Sequence, residues 1–248
     1  MSFVRIENVS KAYGGHGAES GFHVLSNITL EIQEGEFVCL MGPSGSGKST
    51  LLTIVGAMNR PTEGKLIVDG IDVYALSGER RADFRAQYLG FVFQQHHLLP
   101  YLNSVENVML PLATLRLNGK EKRERALAAL ERVGLGTKAS RLPNQLSGGE
   151  QGRLAIARAI VNEPPLVLAD EPTGTLDTKT GNEIMALFLK LNEQGQTILM
   201  VTHNPENAAA AHRTVHICDG ALAHVSASST QRPFRSIAGV ANSALLIG

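Results

Sequence analysis

The chain has 248 residues, 43% of them hydrophobic, which suits one large domain with a buried core and argues against disorder over most of its length. Acidic and basic residues balance at 23 each, so the overall charge shows none of the basic excess of a nucleic-acid-binding surface. No window approaches the roughly 20 apolar residues needed to cross a bilayer, and MSFVRIENVSKAYG lacks the basic start and apolar core of a secretory signal, so a soluble chain is expected that reaches any membrane through a partner.

The first forty residues alternate polar and apolar positions (FVRIENV, HVLSNITLEI) around glycine-containing turns, which predicts short strands of a mainly antiparallel layer. Between them YGGHGAESG reads as a flexible loop. FVCLM at 37–41 is continuously apolar and ends at a glycine, as a strand buried on both faces would. GPSGSGKST follows and leads into an apolar helix, LLTIVGAM. GKLIVDGIDVY then places Asp69-Gly70 between two apolar runs, a hairpin signal.

From about residue 95 the pattern turns helical. SVENVMLPL opens on a serine that reads as a helix cap. KEKRERALAALERVGL sets Ala126, Leu127, Leu130 and Val133 on one face and spaces Lys120–Glu124 and Glu121–Arg125 to pair on the other. PLVLAD and TILMVTH are again apolar strands, separated by the helix GNEIMALFLKLNEQG, so a parallel βαβ sheet resumes. VHICDGALAHV is a second Asp-Gly hairpin. The expected organisation is an α/β domain over residues 1–225: a phosphate-loop core with a parallel sheet, an N-terminal antiparallel β-layer, and a helical sub-domain inserted at about 95–160. The tail 226–248 is Ser/Thr-rich, then weakly apolar, and reads equally as a loosely docked helix or a disordered segment. Cys39 and Cys218 both lie in apolar runs and are expected to be small buried thiols, in keeping with a reducing compartment.

Gly42-Pro43-Ser44-Gly45-Ser46-Gly47-Lys48-Ser49-Thr50 matches G-x-x-x-x-G-K-[ST] between a buried strand and a helix. Its glycines let successive N–H groups curl round a β-phosphate, and the helix N-terminus adds positive potential. Lys48 reaches the β/γ oxygens, and the Ser49 hydroxyl can ligate Mg²⁺, so the ligand is a nucleoside triphosphate. PLVLADEPTG carries Asp170 and Glu171 to the carboxyl end of a strand, where open α/β sheets bind ligands. Asp170 is placed to hold the Mg²⁺ shell and Glu171 to polarise an attacking water as general base, although Asp-Glu-Pro is also an ordinary strand end. His203 closes the next strand at the same sheet edge, either to meet the γ-phosphate and orient base and water, or simply as a surface or cap residue. The other histidines, His96 and His97 included, show no metal-ligand spacing.

In chain order, GPSGSGKST, Gln94 in FVFQQ, LSGGE, LVLADE, GTLD and His203 resemble the Walker A, Q-loop, signature, Walker B, D-loop and switch motifs of an ABC (ATP-binding cassette) transporter's nucleotide-binding subunit. The likeness runs over residues 2–225 and implies an ATPase whose ligands are ATP and Mg²⁺. It brings Gln94 to Mg²⁺ and the attacking water, and places Asp177 of GTLD at the nucleotide site. Tyr13 in KAYGG resembles the aromatic that stacks on adenine, a position equally suited to packing in a small β-layer. Ser147, Gly148 and Gly149 would cap the γ-phosphate held by another subunit, so each site is completed in trans. Gly152 stands where glutamine is common in the family, and a helix-interior glycine costs about 1 kcal/mol relative to alanine, so a looser trans contact is expected.

FVFQQHHLLPYLNSVENVMLPL, ADEPTGTLD and VTHNPENAAAAHRTVHICDG resemble the branch that serves lipoprotein release and macrolide or antimicrobial-peptide export, with cell-division ATPases nearby. That branch implies a cytoplasmic homodimer, peripheral on the inner face of the cell membrane beneath an integral membrane permease, with no nucleic-acid partner. LLPYLNSVENVML would both dock the permease and supply core to the helical insertion, with Tyr101 and Leu102 nearer the surface. The alternatives are a cell-division-type membrane-associated ABC ATPase or a soluble, non-transport one, although the long coiled coil of repair types and the paired cassettes of translation types are not in this sequence.

Overall fold

The computed structural model describes residues 2–14 and 21–227; the core of the glycine-rich loop and the tail beyond Ala227 lie outside them. Strands β1 (Val4–Tyr13) and β2 (Phe22–Ile32) pair antiparallel. A second sheet begins with β3 (Phe37–Met41), whose end runs through the glycine loop into α1 (Lys48–Val55). The chain then returns to the first sheet as β4 (Glu63–Val68) and β5 (Ile71–Asp72), the predicted hairpin, with Asp69 and Gly70 both left-handed. Among the described residues that layer has the order β2-β1-β4-β5.

Helix α2 (Gly78–Tyr88) leads into β6 (Leu89–Phe93). The apolar pattern does not announce α2, because only Phe84 and Tyr88 of its side chains are buried. Next come α3 (Ser104–Met109), α4 (Gly119–Arg132) and α5 (Gly148–Ile160). They are followed by β7 (Leu166–Asp170), α6 (Thr178–Glu193), β8 (Thr197–Val201), α7 (Pro205–Ala209) and the hairpin β9 (Arg213–Cys218) and β10 (Ala221–Ala227). The second sheet is ordered β10-β9-β3-β8-β7-β6, with β9, β3, β8, β7 and β6 parallel and β10 antiparallel at the edge.

Both faces of the parallel sheet are covered, which explains the unbroken apolar runs of its strands. Val38, Leu40, Leu166, Leu168, Leu199 and Val201 face the core shared with α1 and the first sheet. Their alternating neighbours Phe37, Cys39, Val167, Ala169, Ile198 and Met200 face the core shared with α3 to α6. Ala126, Leu130 and Val133 enter that core as expected, and Leu127 packs at its margin.

Three expectations are corrected. The cap of α3 is Asn103, not Ser104: the Asn103 side chain accepts from the Glu106 N–H at 3.0 Å, while the buried Ser104 hydroxyl donates to the Arg141 carbonyl at 3.0 Å. Glu121 does not pair with Arg125. Its carboxylate turns back to the Asn118 N–H at 2.8 Å in a capping box, where the helix start offers unpaired donors. Lys120 and Glu124 do pair, at 4.0 Å. Cys218 is exposed, because it ends β9 at the hairpin turn, whereas Cys39 is buried and burial pushes its thiol well above the usual range.

These environments predict the outcome of thiol titration. Native protein should react rapidly with Ellman's reagent at Cys218 alone, and Cys39 should react only in denaturant. Rapid reaction of both thiols under native conditions would contradict the buried placement of Cys39.

Candidate active site

The register of the parallel strands brings the chemistry together. Phe93 pairs with Asp170, Asp170 with Val201, and Val201 with Leu40, so four strand ends form one row across the sheet. Immediately beyond this row come Gln94, Glu171, Thr202-His203 and the Met41-Gly42 entry to the phosphate loop. Gly42, Ser44, Gly45, Gly47, Lys48, Ser49, Thr50, Gln94, Glu171 and His203 line an open cleft of about 470 Å³. Pro43 and Ser46 belong to the same loop but not to the lining, and Ser46 is buried.

Gly47 adopts φ 99, and a Cβ there would lie 2.6 Å from Leu25 Cδ2 and 2.7 Å from the Val24 carbonyl oxygen, so both conformation and space require glycine. Lys48 Nζ donates to the carbonyls of Gly42 at 2.9 Å and Pro43 at 2.7 Å, which folds the loop round its own cation. The Ser49 hydroxyl donates to Asp170 Oδ1 at 3.1 Å. This juxtaposition of hydroxyl and carboxylate oxygens, with the Gln94 amide in the same cleft, is a hard-oxygen donor set that fits Mg²⁺. Burial raises the affinity of Asp170 for its proton, Glu171 adds to this, and the Ser49 hydroxyl and Lys48 oppose it.

Glu171 has the left-handed backbone φ 47, strained for a residue with a side chain, and its N–H is held by the Val201 carbonyl at 3.0 Å. Its Oε1 lies 2.9 Å from His203 Nδ1. The glutamate side chain is largely covered and the histidine largely exposed, so a carboxylate aimed into the cleft has an imidazole between it and solvent. The Gln94 amide packs against Gly174 of the GTLD turn, where a Cβ would come within 2.9 Å of it.

Asp170 meets the cleft through Ser49 rather than as part of its lining, and Tyr13, Ser147, Gly148, Gly149 and Asp177 stand outside that lining. Ser147 and Gly148 are exposed at the start of α5, where the Ser147 side chain accepts from the Glu150 N–H at 3.3 Å and Glu150 returns a bond to the Ser147 N–H at 2.9 Å. Asp177 is exposed and caps α6 through the Thr180 N–H at 3.0 Å and hydroxyl at 2.6 Å, which depress its pKa. Tyr13 ends β1 half exposed; its hydroxyl meets the Asn59 amide, and Lys11 Nζ lies 4.8 Å from its ring centroid.

Gly149 and Gly152 are buried, unlike Gly148, and their use is internal. A Cβ at Gly149 would lie 2.3 Å from Thr180 Cγ2, and one at Gly152 3.3 Å from Ile184 Cδ1 and 3.6 Å from His96 Cε1. Leu176, just ahead of α6, and Thr180 and Ile184 within it, at four-residue spacing, thus form a ridge that seats on the glycines of α5. Gly152 therefore gives α6 and His96 close access to α5. This packing role could not be read from the helix penalty alone.

A phosphate loop, a strand-end Asp-Glu and a strand-end histidine, ordered on one parallel sheet edge, define a phosphate-loop ATPase. The family profile described as ABC transporter matches residues 25–174, and the chain belongs to that family as its ATPase component. The uncharacterized ABC transporter ATP-binding protein YknY of Bacillus subtilis is 51% identical over 229 residues, spanning 92% of this chain and 98% of that one. The lipoprotein-releasing system ATP-binding protein LolD of Aquifex aeolicus is 46% identical over 88% of this chain and 94% of its own. The macrolide export ATP-binding/permease protein MacB of Syntrophobacter fumaroxidans is 46% identical over 90% of this chain, which spans 31% of that longer protein. Among solved structures, the dimeric post-hydrolysis state of the cassette MJ0796 bound to ADP and Pi matches with a TM-score of 0.82 at 44% identity, covering 93% of this chain and 100% of that one.

The close approach at Gly149 yields a test. Gly149→Ala should lower stability by about 1–3 kcal/mol through overpacking, and Thr180→Ser, which deletes Cγ2 and keeps the hydroxyl on Asp177, should recover most of that loss in thermal denaturation. Equal melting temperatures for the parent and Gly149→Ala would remove the packing explanation.

Proposed function

We propose that this protein is the ATP-hydrolysing subunit of an ABC transporter of the lipoprotein-release or macrolide-export type. In this reading two copies close around two ATP molecules beneath integral membrane permease subunits, on the cytoplasmic face of the membrane. The observation that carries it is the division of the phosphate-binding groups. Lys48, Ser49, Asp170, Glu171 and His203 gather at one cleft, while Ser147 and Gly148 stand exposed at a separate helix start. A second chain is the natural source of a nucleotide for that exposed helix start. Among the described residues no helix is long and apolar enough to cross a membrane. Tyr101 is 92% exposed as expected, but Leu102 is partly buried and Leu99, at 47%, is the exposed leucine, an apolar site after Gln94 suited to a permease helix. Residues 1–225 act as one cassette, with the helices of about 95–160 as its permease-facing part.

Each catalytic task has a residue. The phosphate loop and Lys48 bind the β- and γ-phosphates, and Tyr13 stacks on the base. Ser49, Asp170 and Gln94 would hold Mg²⁺, which would neutralise charge on the phosphate oxygens. Glu171 takes a proton from water as its oxygen bonds to the γ-phosphorus and the bond to ADP breaks. His203 orients Glu171 and meets the γ-phosphate. Ser147, Gly148 and Gly149 of the opposing subunit close over that phosphate, with Asp177 beside them. ATP then stabilises the closed dimer over the open one, and hydrolysis removes that difference.

Glu171→Gln should retain ATP binding, lose at least about 100-fold in turnover, and hold an ATP-bound dimer on size-exclusion chromatography. Steady-state hydrolysis near the parent rate would refute the base assignment. Lys48→Ala should weaken ATP binding at least about tenfold in a fluorescent-nucleotide titration. Specific ATPase activity of the isolated parent should rise with protein concentration; a strictly constant value would overturn the trans site.

A further inference from the structure

The segment just after Gln94 is held in an unfavourable shape by a residue that the catalytic reading leaves unused. His96 and His97 are consecutive non-glycine residues in the left-handed region, at φ 56 and φ 46. Each such residue costs on the order of 1–2 kcal/mol, so the turn persists only where its surroundings impose it. Arg158, near the end of α5, imposes it: Nη2 donates to the His96 carbonyl at 2.5 Å and Nη1 to the His97 carbonyl at 2.6 Å. Two donors of one planar guanidinium thus hold two successive carbonyls, a fit that a lysine ammonium does not reproduce. Among the described residues no carboxylate forms an ion pair with Arg158, and its guanidinium is given to these carbonyls.

The histidine rings wedge the same turn. The His97 ring meets Phe93 edge-on at a centroid distance of 5.1 Å. The His96 ring is 7% exposed, against Gly152 of α5, and its Nδ1 has no hydrogen-bond partner. The turn therefore touches α5 through Gly152 and Arg158, while Gln94, two residues before His96, lines the nucleotide cleft. The other end of α5 carries Ser147. One helix consequently joins the segment that senses a chain's own nucleotide to the groups that the proposed dimer offers to its partner's.

We propose that Arg158 is a positioning residue that couples Gln94 in one cleft to the placement of Ser147 and Gly148 on the opposing one. The inference rests on the trans arrangement proposed above. Arg158 touches no nucleotide; it transmits the position of the turn to the helix.

A double-mutant cycle on ATP-driven dimerisation tests it, in the Glu171→Gln background, by analytical ultracentrifugation. Arg158→Lys should weaken the ATP-bound dimer about tenfold while monomer affinity for a fluorescent ATP analogue stays within twofold and the melting temperature is kept. In a chain also carrying Gln94→Ala, the same substitution should change dimerisation less than twofold, because the coupled group is already gone. Equal losses in both backgrounds, or no loss in either, overturn the coupling. Arg158→Gln, which retains a planar amide able to donate to one carbonyl, should fall on the same non-additive pattern, and an additive result for both variants marks a purely structural role. If the Glu171→Gln parent itself fails to dimerise with ATP, the trans arrangement falls, and the coupling with it.

Discussion

The chemistry of this protein depends on the register of its parallel sheet. Phe93, Asp170, Val201 and Leu40 lie in one row, and each strand releases a residue proposed for catalysis or binding just beyond that row. A one-residue slip in any strand would turn its alternating side chains from one core to the other. With both faces buried, such a slip is strongly opposed. The position of Glu171 next to His203, and of Asp170 next to Ser49, is therefore enforced by two hydrophobic cores that contain neither pair.

A second constraint is the contact between α5 and α6. Glycines at 149 and 152 let the Thr180 and Ile184 ridge approach the α5 backbone, and Arg153 adds an ion pair to Glu183 at 3.2 Å. The start of α5, with Ser147, and the start of α6, with Asp177, are thus locked together within one chain. In the proposed dimer both helix starts would face the partner's nucleotide as one unit. The capping bonds of Ser147 and Asp177 keep their backbones ordered before any ligand arrives.

Some of the left-handed non-glycine residues lie on the segments that leave the strand ends at the cleft. Glu171, His96 and His97 all hold left-handed backbones. Each is fastened by a hydrogen bond from a different element: the Val201 carbonyl of β8 for Glu171, and the Arg158 guanidinium of α5 for the two histidines. The fastening of a strained turn by a distant helix gives the cleft a mechanical link to the surface of the cassette.

Much of the site was legible in the sequence because its motifs are local. The phosphate loop, the apolar run into Asp170-Glu171, the strand ending before His203 and the two Asp-Gly hairpins depend on neighbours a few residues away. Their chemistry follows from residue type and spacing. The caps of α3 and α4, the exposure of Cys218, and α2 were less legible, since they turn on which of two nearby polar groups reaches a free N–H, or on where a strand stops. Two features depend on residues far apart in sequence. Gly152 read alone is a weak point in a helix, and it is the proximity of Ile184 and His96 that makes its missing side chain useful. Arg158 in LAIARAI shows no sign that it grips residues 61 and 62 positions away. The sequence by itself determined the fold class, the nucleotide chemistry and the order of the motifs, through hydrophobic periodicity and local backbone demands. Only the tertiary structure decided how the signature helix is held to the rest, because close packing and a guanidinium's reach are properties of distance in space.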